Sequence, residues 1–506
     1  MDETFYAWLI YAIYFGVVAT IALSSRKQAS SFQSFSIGAR NINPIFIGFS
    51  VAASATSSVT FVTNPGLIYL YGWSGFVAIY VSATLGFFVG LLVFSRRFRE
   101  LGDKFAALTI PQWLGDRYKS ESLKIFFAAL SFLQVAYLVL VQVGMAVVIS
   151  KTLQIPVLAA LIFLVCFTFG YILLGGVGTH VFTSSVQAVI KVAVSLTIVG
   201  MGLHFLANGI APFFEKMASV APHYAEATNP DSQLYRDYWE VFAAQFVIGA
   251  ASALLPHVLS KTLYLRTKAD VNTFLLSMAS IEVLMKLVLL AGIFARFEIG
   301  GEILKPDVVM ATYLVEKFSP IVRALLSLGI LAAGFSTLEG ILLSLSSTFS
   351  NDFLRPLVKK FGGAEKDWAQ RSLFFARVFI VILAVVSILF SYQQIVSPNL
   401  SVIIFASHGI YGILTAAFAP MLYGIYFERS PLRMVVASSV VALTTYYSIV
   451  FFEITKYHTN PMMPATFAIA VSSLLMFVGA VLTRKTGELD SLEHEIVAPS
   501  HISDVL

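Results

Sequence analysis

The stretch Gly48–Tyr71 reads GFSVAASATSSVTFVTNPGLIYLY, and it decides the architecture of this chain. It is long enough to cross a bilayer as a helix, which takes about 20 mostly apolar residues. Between positions 50 and 66, ten residues are nevertheless serine, threonine, asparagine, proline or glycine: Ser50, Ser54, Thr56, Ser57, Ser58, Thr60, Thr63, Asn64, Pro65 and Gly66. Irregular backbone at membrane depth is tolerated only where it is buried in protein or lines a cavity. We therefore expect the early part of this span to unwind.

The rest of the chain is equally apolar. Of its 506 residues 58% are hydrophobic and 12% charged, and its mean hydropathy is +0.82, which is not the composition of a water-soluble protein. We count 13 apolar runs, at 5–24, 44–72, 74–95, 125–150, 155–175, 181–207, 239–260, 272–295, 320–350, 373–391, 401–427, 432–454 and 464–482. The sequence predicts an all-α polytopic membrane protein with about 13 transmembrane helices.

Several function classes are excluded by what lies between these runs. The longest hydrophilic stretches are only about 30 residues, too short for an ATPase or a soluble catalytic domain. The eight histidines show no paired spacing within a span, and Cys166 is the only cysteine, so a haem or metal enzyme is not expected. The net charge of +5 reports membrane topology rather than nucleic-acid binding. We expect a protein that is not an enzyme and has no cofactor.

The distribution of basic residues predicts the orientation. Of the 33 lysine and arginine residues, 22 fall in segments on the same side of the membrane as the predicted C-terminus, eight fall in segments on the opposite side and three lie within spans. Basic residues concentrate in cytoplasmic loops. We expect a multi-pass protein of the plasma (inner) membrane, with its N-terminus outside and its C-terminus in the cytoplasm.

The seventh span resembles the second in being interrupted by polar and small residues. Val241–Ser260 contains Gln245, Gly249, Ser252, Pro256 and His257. The two spans each begin a unit of five, as in transporters built from inverted repeats. We predict five parts: an N-terminal helix and loop at 1–43, a first repeat at 44–207, a second repeat at 239–427, two further helices at 428–483 and a cytoplasmic tail at 484–506.

Four sequence motifs resemble the sodium:solute symporter family. The stretch SIGARNINPIFIGFSVAASATSS at 36–58 is similar to the start of that family's core. The double glycine in YILLGGVG at 171–178, followed by TSSVQ at 183–187, is similar to another family segment. Pro256-His257 with Lys261 matches a Pro-His-x-x-x-basic pattern, and AAGFST at 332–337 matches the cation motif. The resemblance covers nearly the whole chain in order and spacing, and the pantothenate and monocarboxylate permeases are the nearest branch.

The resemblance implies a sodium-driven symporter with one helix before a five-plus-five inverted repeat. By position, the family's sodium site falls on the backbone carbonyls of Ala53, Thr56 and Ala333 and on the hydroxyls of Ser336 and Thr337. A hard cation is suited to such oxygen ligands, which an unwound helix supplies near the bilayer midplane.

The chain departs from the family pattern at two acidic positions. Ala55 and Ser184 stand where relatives carry aspartate, while Glu339 lies three residues after Ser336 in an apolar span. Ionisable groups inside a membrane are costly and are often functional. Glu339 and Ser184 are therefore candidate coupling residues, with Glu339 either exchanging protons or replacing the missing charge at a second cation site. The alternative is that Glu339 pairs with a neighbouring polar helix.

The other charges within spans favour structural roles. Glu282 and Lys286 are spaced to pair on one helix face. Lys191 and Arg377 lie near predicted span ends, and we expect their side chains to reach an aqueous boundary. His257 and Lys261, near the cytoplasmic end of the seventh span, are expected to form a gate or a helix-end contact.

The sequence is least informative about the solute. Ser57 and Thr60, with Gln134, Gln142 and Gln245 from other spans, are candidate ligands for a small carboxylate-bearing solute such as a monocarboxylate, pantothenate or an amino acid. The predicted partners are this solute, a sodium ion and the lipid bilayer, without nucleic acid and with no prediction of oligomeric state. A proton-coupled symporter of the same fold, and a transporter-like channel or sensor, remain as alternatives.

Overall fold

The computed structural model describes residues 4–38, 41–300, 303–360, 368–397, 400–427 and 431–496, and over these ranges it is helical without β-strands. The first half contains the helices Phe5–Ser25 (α1), Phe32–Ile37 (α2), Pro44–Ala55 (α3), Ser58–Phe61 (α4), Thr63–Tyr71 (α5), Trp73–Phe76 (α6), Thr84–Phe105 (α7), Ile110–Arg117 (α8), Glu121–Ser131 (α9), Gln134–Leu153 (α10), Val157–Gly202 (α11) and Ile210–Val220 (α12). The predicted tail lies outside the described residues from position 497 onward.

The second half contains the helices Gln245–Ser252 (α13), Pro256–Leu259 (α14), Asp270–Lys286 (α15), Ala291–Glu298 (α16), Pro306–Lys317 (α17), Pro320–Thr348 (α18), Arg355–Lys360 (α19), Trp368–Val396 (α20), Leu400–Tyr426 (α21), Leu432–Phe451 (α22) and Met462–Ile496 (α23). Short 3₁₀ or π-helical segments extend several of them: Arg26–Gln28, Val77–Ala83, Leu203–Leu206, Trp239–Ala244, Ser260–Tyr264, Leu287–Leu290 and Phe349–Leu354.

The membrane-spanning character of the chain is confirmed. Within the described residues, ten helices are long and apolar enough to cross a membrane, and two bent helix pairs bring the number to 12. One of the ten, Val157–Leu206, has 50 residues, about twice the length that a crossing needs. Counted as two crossings, it gives the 13 spans expected from the sequence.

The long helix changes direction at Gly176. This residue has φ 56° and ψ −142°, a conformation that glycine adopts without a steric penalty. A Cβ at this position would also lie 2.8 Å from the carbonyl oxygen of Phe35. The sequence predicted separate spans at 155–175 and 181–207, and the break at Gly176 falls between them.

Both spans predicted to be interrupted are broken helices, which confirms that expectation. Helix α3 ends at Ala55, Thr56 is non-helical with φ −98° and ψ 87°, and the axis bends by 68° before α4 and α5 continue. The seventh span bends by 57° between Trp239–Ser252 and Pro256–Tyr264. Proline lacks an N–H and disfavours helical geometry in the residue before it, which accounts for the break ahead of Pro256.

Close helix packing surrounds the two breaks. A Cβ on Gly48 of α3 would lie 2.0 Å from Ser277 Oγ of α15, and one on Gly249 of α13 would lie 2.2 Å from the carbonyl oxygen of Ala83, just before α7. Such small residues let helix backbones approach each other within a membrane. Helix α18 runs through the centre, and all its residues from Leu326 to Leu343 are buried.

Candidate ion and solute site

The break after α3 leaves backbone carbonyls that the helix does not satisfy. The carbonyl of Ala52 accepts from the N–H of Thr56 at 3.1 Å and from its hydroxyl at 2.7 Å. The carbonyls of Ala53 and Thr56 instead accept from side chains of other helices. The partial negative charge at this helix end favours a cation.

That cation is the ammonium group of Lys191, which belongs to α11. Its Nζ donates to the carbonyl oxygen of Ala53 at 2.7 Å, to that of Thr56 at 2.8 Å and to Ser336 Oγ at 2.8 Å. Lys191 has an exposed fraction of 0%. The expectation that its side chain reaches an aqueous boundary is therefore wrong. Lys191 points inward because α11 is continuous here and places it opposite the break in α3.

The structure brings the five predicted sodium-site residues together. Ser336 Oγ lies 2.9 Å from the carbonyl oxygen of Ala53 and 3.0 Å from that of Ala333. Thr337 Oγ1 donates to the carbonyls of Ser54 and Ala333, each at 3.2 Å. The hydroxyls of α18 and the end of α3 thus form one polar contact, with Lys191 at its centre.

A sodium ion does not fit at the point that Lys191 Nζ occupies. A hard cation needs several oxygens, at about 2.3–2.6 Å in the case of calcium. Three of the oxygens predicted for that purpose converge on the ammonium nitrogen. The sequence motifs predict these oxygens but not the lysine that contacts them.

A second buried lysine contacts the middle of α3. Lys261 Nζ donates to the carbonyl oxygen of Ser50 at 2.8 Å, to Ser50 Oγ at 2.9 Å and to Ser54 Oγ at 2.6 Å. Ser184 Oγ lies 2.7 Å from Ser50 Oγ, so this candidate coupling residue belongs to the same network. His257 Nδ1 lies 3.1 Å from Gln134 Oε1. Lys261 and His257 thus make contacts between helices, and a gating role for them stays a prediction.

Glu339 lies on α18 with an exposed fraction of 0%, and its carboxylate contacts α11. Oε1 accepts from the Tyr171 hydroxyl and from Gln187 Nε2 at 2.7 Å. Oε2 accepts from Thr183 Oγ1 at 2.6 Å and lies 2.9 Å from His180 Nδ1. Each carboxylate oxygen therefore has two side-chain partners. This geometry corresponds to the alternative in which Glu339 pairs with a neighbouring polar helix.

The remaining charges within spans are arranged as follows. Lys286 Nζ pairs with Glu282 at 2.8 Å, which confirms the pairing expected from their spacing. Lys286 also donates to Thr84 Oγ1 at 2.9 Å. Arg377 is half-buried and donates to the carbonyl of Ala29 at 3.2 Å.

A cavity of about 990 Å³ begins at the break in the second span. It extends to the end of the bundle that carries Thr4, Lys151 and Pro320. At the opposite end of the bundle, Trp113 and Tyr264 are buried in packed side chains. Neither residue lines the cavity, which therefore reaches the first end of the bundle and not this one.

Four of the five residues predicted to bind the solute line this cavity: Ser57, Thr60, Gln134 and Gln245. Gln142 does not line it, and its role in solute binding stays a prediction that the geometry does not favour. Its Nε2 donates to Ser387 Oγ at 3.2 Å and its Oε1 accepts from Ser391 Oγ at 2.9 Å, so both ends of the amide are used in packing against α20.

Sequence reasoning missed two residues of the site. Tyr137 lines the cavity and donates to Ser57 Oγ at 2.8 Å, but nothing distinguishes it among 21 tyrosines. Lys191, in contrast, could have been identified from the sequence. It continues a polar stripe on α11 formed by His180, Thr183, Ser184 and Gln187, whose spacing puts them on one helix face.

Comparison with known proteins identifies the family. The sodium:solute symporter family model matches residues 35–434. The sodium/pantothenate symporter of Haemophilus influenzae is 22% identical, with 90% of this chain and 92% of the relative covered. The sodium/pantothenate symporter of Escherichia coli is 23% identical, covering 92% and 94%, and the sodium/proline symporter of H. influenzae is 24% identical, also covering 92% and 94%.

Solved structures agree on the fold. A Na⁺-coupled sialic acid symporter, in a substrate-bound outward-open state, superposes with a TM-score of 0.78 at 16% identity over 95% of this chain and 98% of the other. The nucleobase-cation-symport-1 transporter MHP1, in a closed conformation, gives a TM-score of 0.55 at 13% identity over 88% and 95%. With the family model matching most of its length and the all-helical fold shared, this chain belongs to the sodium:solute symporter family.

Proposed function

We propose that this chain is a secondary active transporter that takes up a small organic solute by alternating access. The observation that carries the proposal is the cavity of about 990 Å³, which runs from the broken second span to one end of the bundle and is closed at the other. A transporter of this architecture binds its solute near the midplane, between broken helices. Exposure of that site to the two sides in turn then moves the solute across the membrane.

The lining of the cavity supports a solute with a carboxylate. Ser57 and Thr60 supply hydroxyls, Asn64 and Gln245 supply amides, and Tyr137 supplies a phenol. Hydroxyl and amide groups donate hydrogen bonds to a carboxylate. Pantothenate and proline, in the names of the relatives, each carry one.

The names of the relatives support sodium as the coupling ion. A second candidate is symport driven by another cation, such as the proton. The observation that favours it is the ammonium of Lys191, bound to three of the oxygens expected to hold sodium. The two candidates share the solute pathway and differ in the gradient that drives transport.

Uptake into proteoliposomes tests the proposal. Purified protein is supplied with a panel of radiolabelled carboxylates under an inward sodium gradient, an inward proton gradient or neither. Saturable accumulation above the equilibrium level under one gradient is the expected result. Flux that never exceeds equilibrium would indicate a channel, and solute binding without flux would indicate a sensor; either would contradict the proposal.

The orientation is tested by cysteine labelling. In a Cys166→Ser background, Lys151→Cys at the open end of the cavity and Ser120→Cys at the start of α9 probe opposite sides of the membrane. Because basic residues favour the cytoplasmic side, an impermeant thiol reagent added to intact cells should label position 151 and spare position 120. The reverse pattern would show an inverted topology.

A further inference from the structure

We propose that Lys191 supplies the cation of the predicted sodium site, so that this chain neither binds nor requires a sodium ion at Ala53, Thr56 and Ser336. The inference rests on the proposed function and refines it, because it assigns the cation at one site of the transporter. It follows from the arrangement of the ammonium group and its three oxygen partners.

The first step is the match between donors and acceptors. An ammonium group has three N–H donors and no acceptor. Lys191 Nζ has three oxygen partners, at 2.7, 2.8 and 2.8 Å. Ser336 Oγ is free to accept because its own hydrogen can go to the carbonyl of Ala53 or Ala333. Every donor of a charged lysine is thus satisfied, and the group acts as a cation bound at the end of α3.

The second step is competition for the same space. A sodium ion bound by the oxygens of Ala53, Thr56 and Ser336 would lie where Lys191 Nζ lies. Its entry would require the lysine to leave three hydrogen bonds in a region where its exposed fraction is 0%. A buried charge separated from its partners is strongly destabilising. The ammonium therefore excludes sodium from this point.

The third step concerns the charges around the lysine. Glu339 on α18 and Lys261 beyond α14 are the buried charged neighbours, and His180 lies on the same helix as Lys191. Both oxygens of Glu339 are engaged by donors of α11, while Lys261 is engaged by Ser50 and Ser54. Each charge has its own partners, and Lys191 remains with the oxygens at the break.

For transport, the consequence is that this site holds a permanent cation of the protein instead of an ion taken from solution. An ion that arrives from solution contributes its binding free energy only when it is present, whereas a tethered ammonium joins α3 to α18 at every ion concentration. Sodium that drives this transporter would have to act at another point of the chain.

Thermal unfolding of the purified full-length protein tests the inference. Sodium chloride is compared with choline chloride at equal ionic strength, so that screening of surface charges is the same. Sodium bound elsewhere in the chain would raise the unfolding temperature of the wild type, and it should raise that of Ser336→Ala by the same amount. Lys191→Ala should be less stable in choline and should gain about 2–4 °C or more from sodium beyond the wild-type response, saturably, because the vacated position can take the ion.

Two matched variants accompany this experiment. Lys104→Ala removes the same side chain from an exposed position of α7 and should respond to sodium as the wild type does. Lys191→Ala/Ser336→Ala removes a further oxygen and should lose the additional gain in sodium. A stable Lys191→Ala protein that gains no more from sodium than the wild type does would overturn the inference.

Radioactive sodium binding to the wild type and to Ser336→Ala gives a second measurement that needs no lysine variant. Absence of binding, or binding that persists unchanged in Ser336→Ala, agrees with an occupied site. Saturable binding that is lost in Ser336→Ala would overturn the inference. None of these readouts uses solute flux. A failure of uptake would therefore contradict the proposed function, whereas the assignment of Lys191 is decided by the unfolding and sodium-binding measurements alone.

Discussion

The interface between α11 and α18 and the central cavity are both rich in polar groups. At the interface these groups bond to one another, whereas in the cavity they surround an open space. At the interface, the carboxylate of Glu339 has four side-chain partners, and the ammonium of Lys191 has three oxygen partners. In the cavity, Ser57, Thr60 and Gln245 surround a space of about 990 Å³.

The polar groups at the interface stabilise the fold, whereas those in the cavity are available to bind a solute. Buried polar groups that satisfy one another hold helices in a fixed arrangement, and the loss of one member leaves the others unpaired. Polar groups that line a cavity can change partners when a solute arrives. Changes at the interface should therefore affect stability first, and changes in the cavity should affect solute binding first.

The largest effect is expected from Glu339→Ala. This change leaves the side chains of Tyr171, His180, Thr183 and Gln187 without their shared acceptor, and it should lower the free energy of unfolding by about 3–5 kcal/mol. Chemical denaturation of the detergent-solubilised protein measures the loss. The matched variant Glu339→Gln keeps one acceptor oxygen and should lose less.

Glu339→Gln also decides between the two roles considered for this residue. If it is a structural partner, folded Glu339→Gln protein should keep the uptake rate per molecule and the sodium and pH profiles of the wild type. Changed profiles in a protein of normal stability would show that Glu339 takes part in coupling. The polar groups of the interface would then serve transport as well as stability.

A smaller effect, on solute binding, is expected from Tyr137→Phe. The hydroxyl removed here holds Ser57 Oγ at 2.8 Å beside the cavity. Since it faces the cavity, its loss should raise the solute concentration for half-maximal uptake by about tenfold, which corresponds to about 1.4 kcal/mol, with little change in stability. Concentration-dependent uptake measures it. A large loss of stability with unchanged affinity would place Tyr137 with the interface residues instead.

The smallest effect is expected from Gln142→Leu, which removes the hydrogen bonds to Ser387 and Ser391 but keeps the side chain's bulk. Stability should fall by about 1 kcal/mol and solute affinity should stay the same. The comparison variant is Gln245→Leu, since Gln245 lines the cavity and its loss should weaken solute affinity. Equal effects of the two changes on affinity would contradict the assignment of Gln142 to packing.

Much of the fold could be predicted from the sequence because apolar length and helix-breaking residues act locally. The hydroxyl-rich stretch of the second span and Pro256 of the seventh marked both breaks, and the four motifs identified the family. The predicted boundary between the fifth and sixth spans coincides with the break at Gly176, whose conformation the sequence did not reveal.

The site was harder to predict because it depends on which helix faces which. Ser336, Thr337 and the end of α3 are brought together as the motif implies. Lys191 was predicted to reach an aqueous boundary because the side chain of a lysine in an apolar run usually extends to the membrane surface. Only the polar stripe on α11, which Lys191 continues, indicates that this side chain points into the protein. A glutamine within a span fits a helix contact as well as a ligand site, and the sequence does not show that Gln142 makes such a contact with α20.

The glycine contacts beside the breaks have a mechanical consequence. Gly48 allows α3 to touch α15, and Gly249 allows α13 to touch the start of α7, without room for an intervening methyl group. Helices joined this closely move as rigid bodies, so any rotation of α3 carries α15 with it. Lys191 belongs to α11 and binds two carbonyls at the end of α3, so a rotation of α3 relative to α11 must break both hydrogen bonds. These bonds belong to the polypeptide itself, so their contribution to the activation barrier should be the same at every sodium concentration outside the cell.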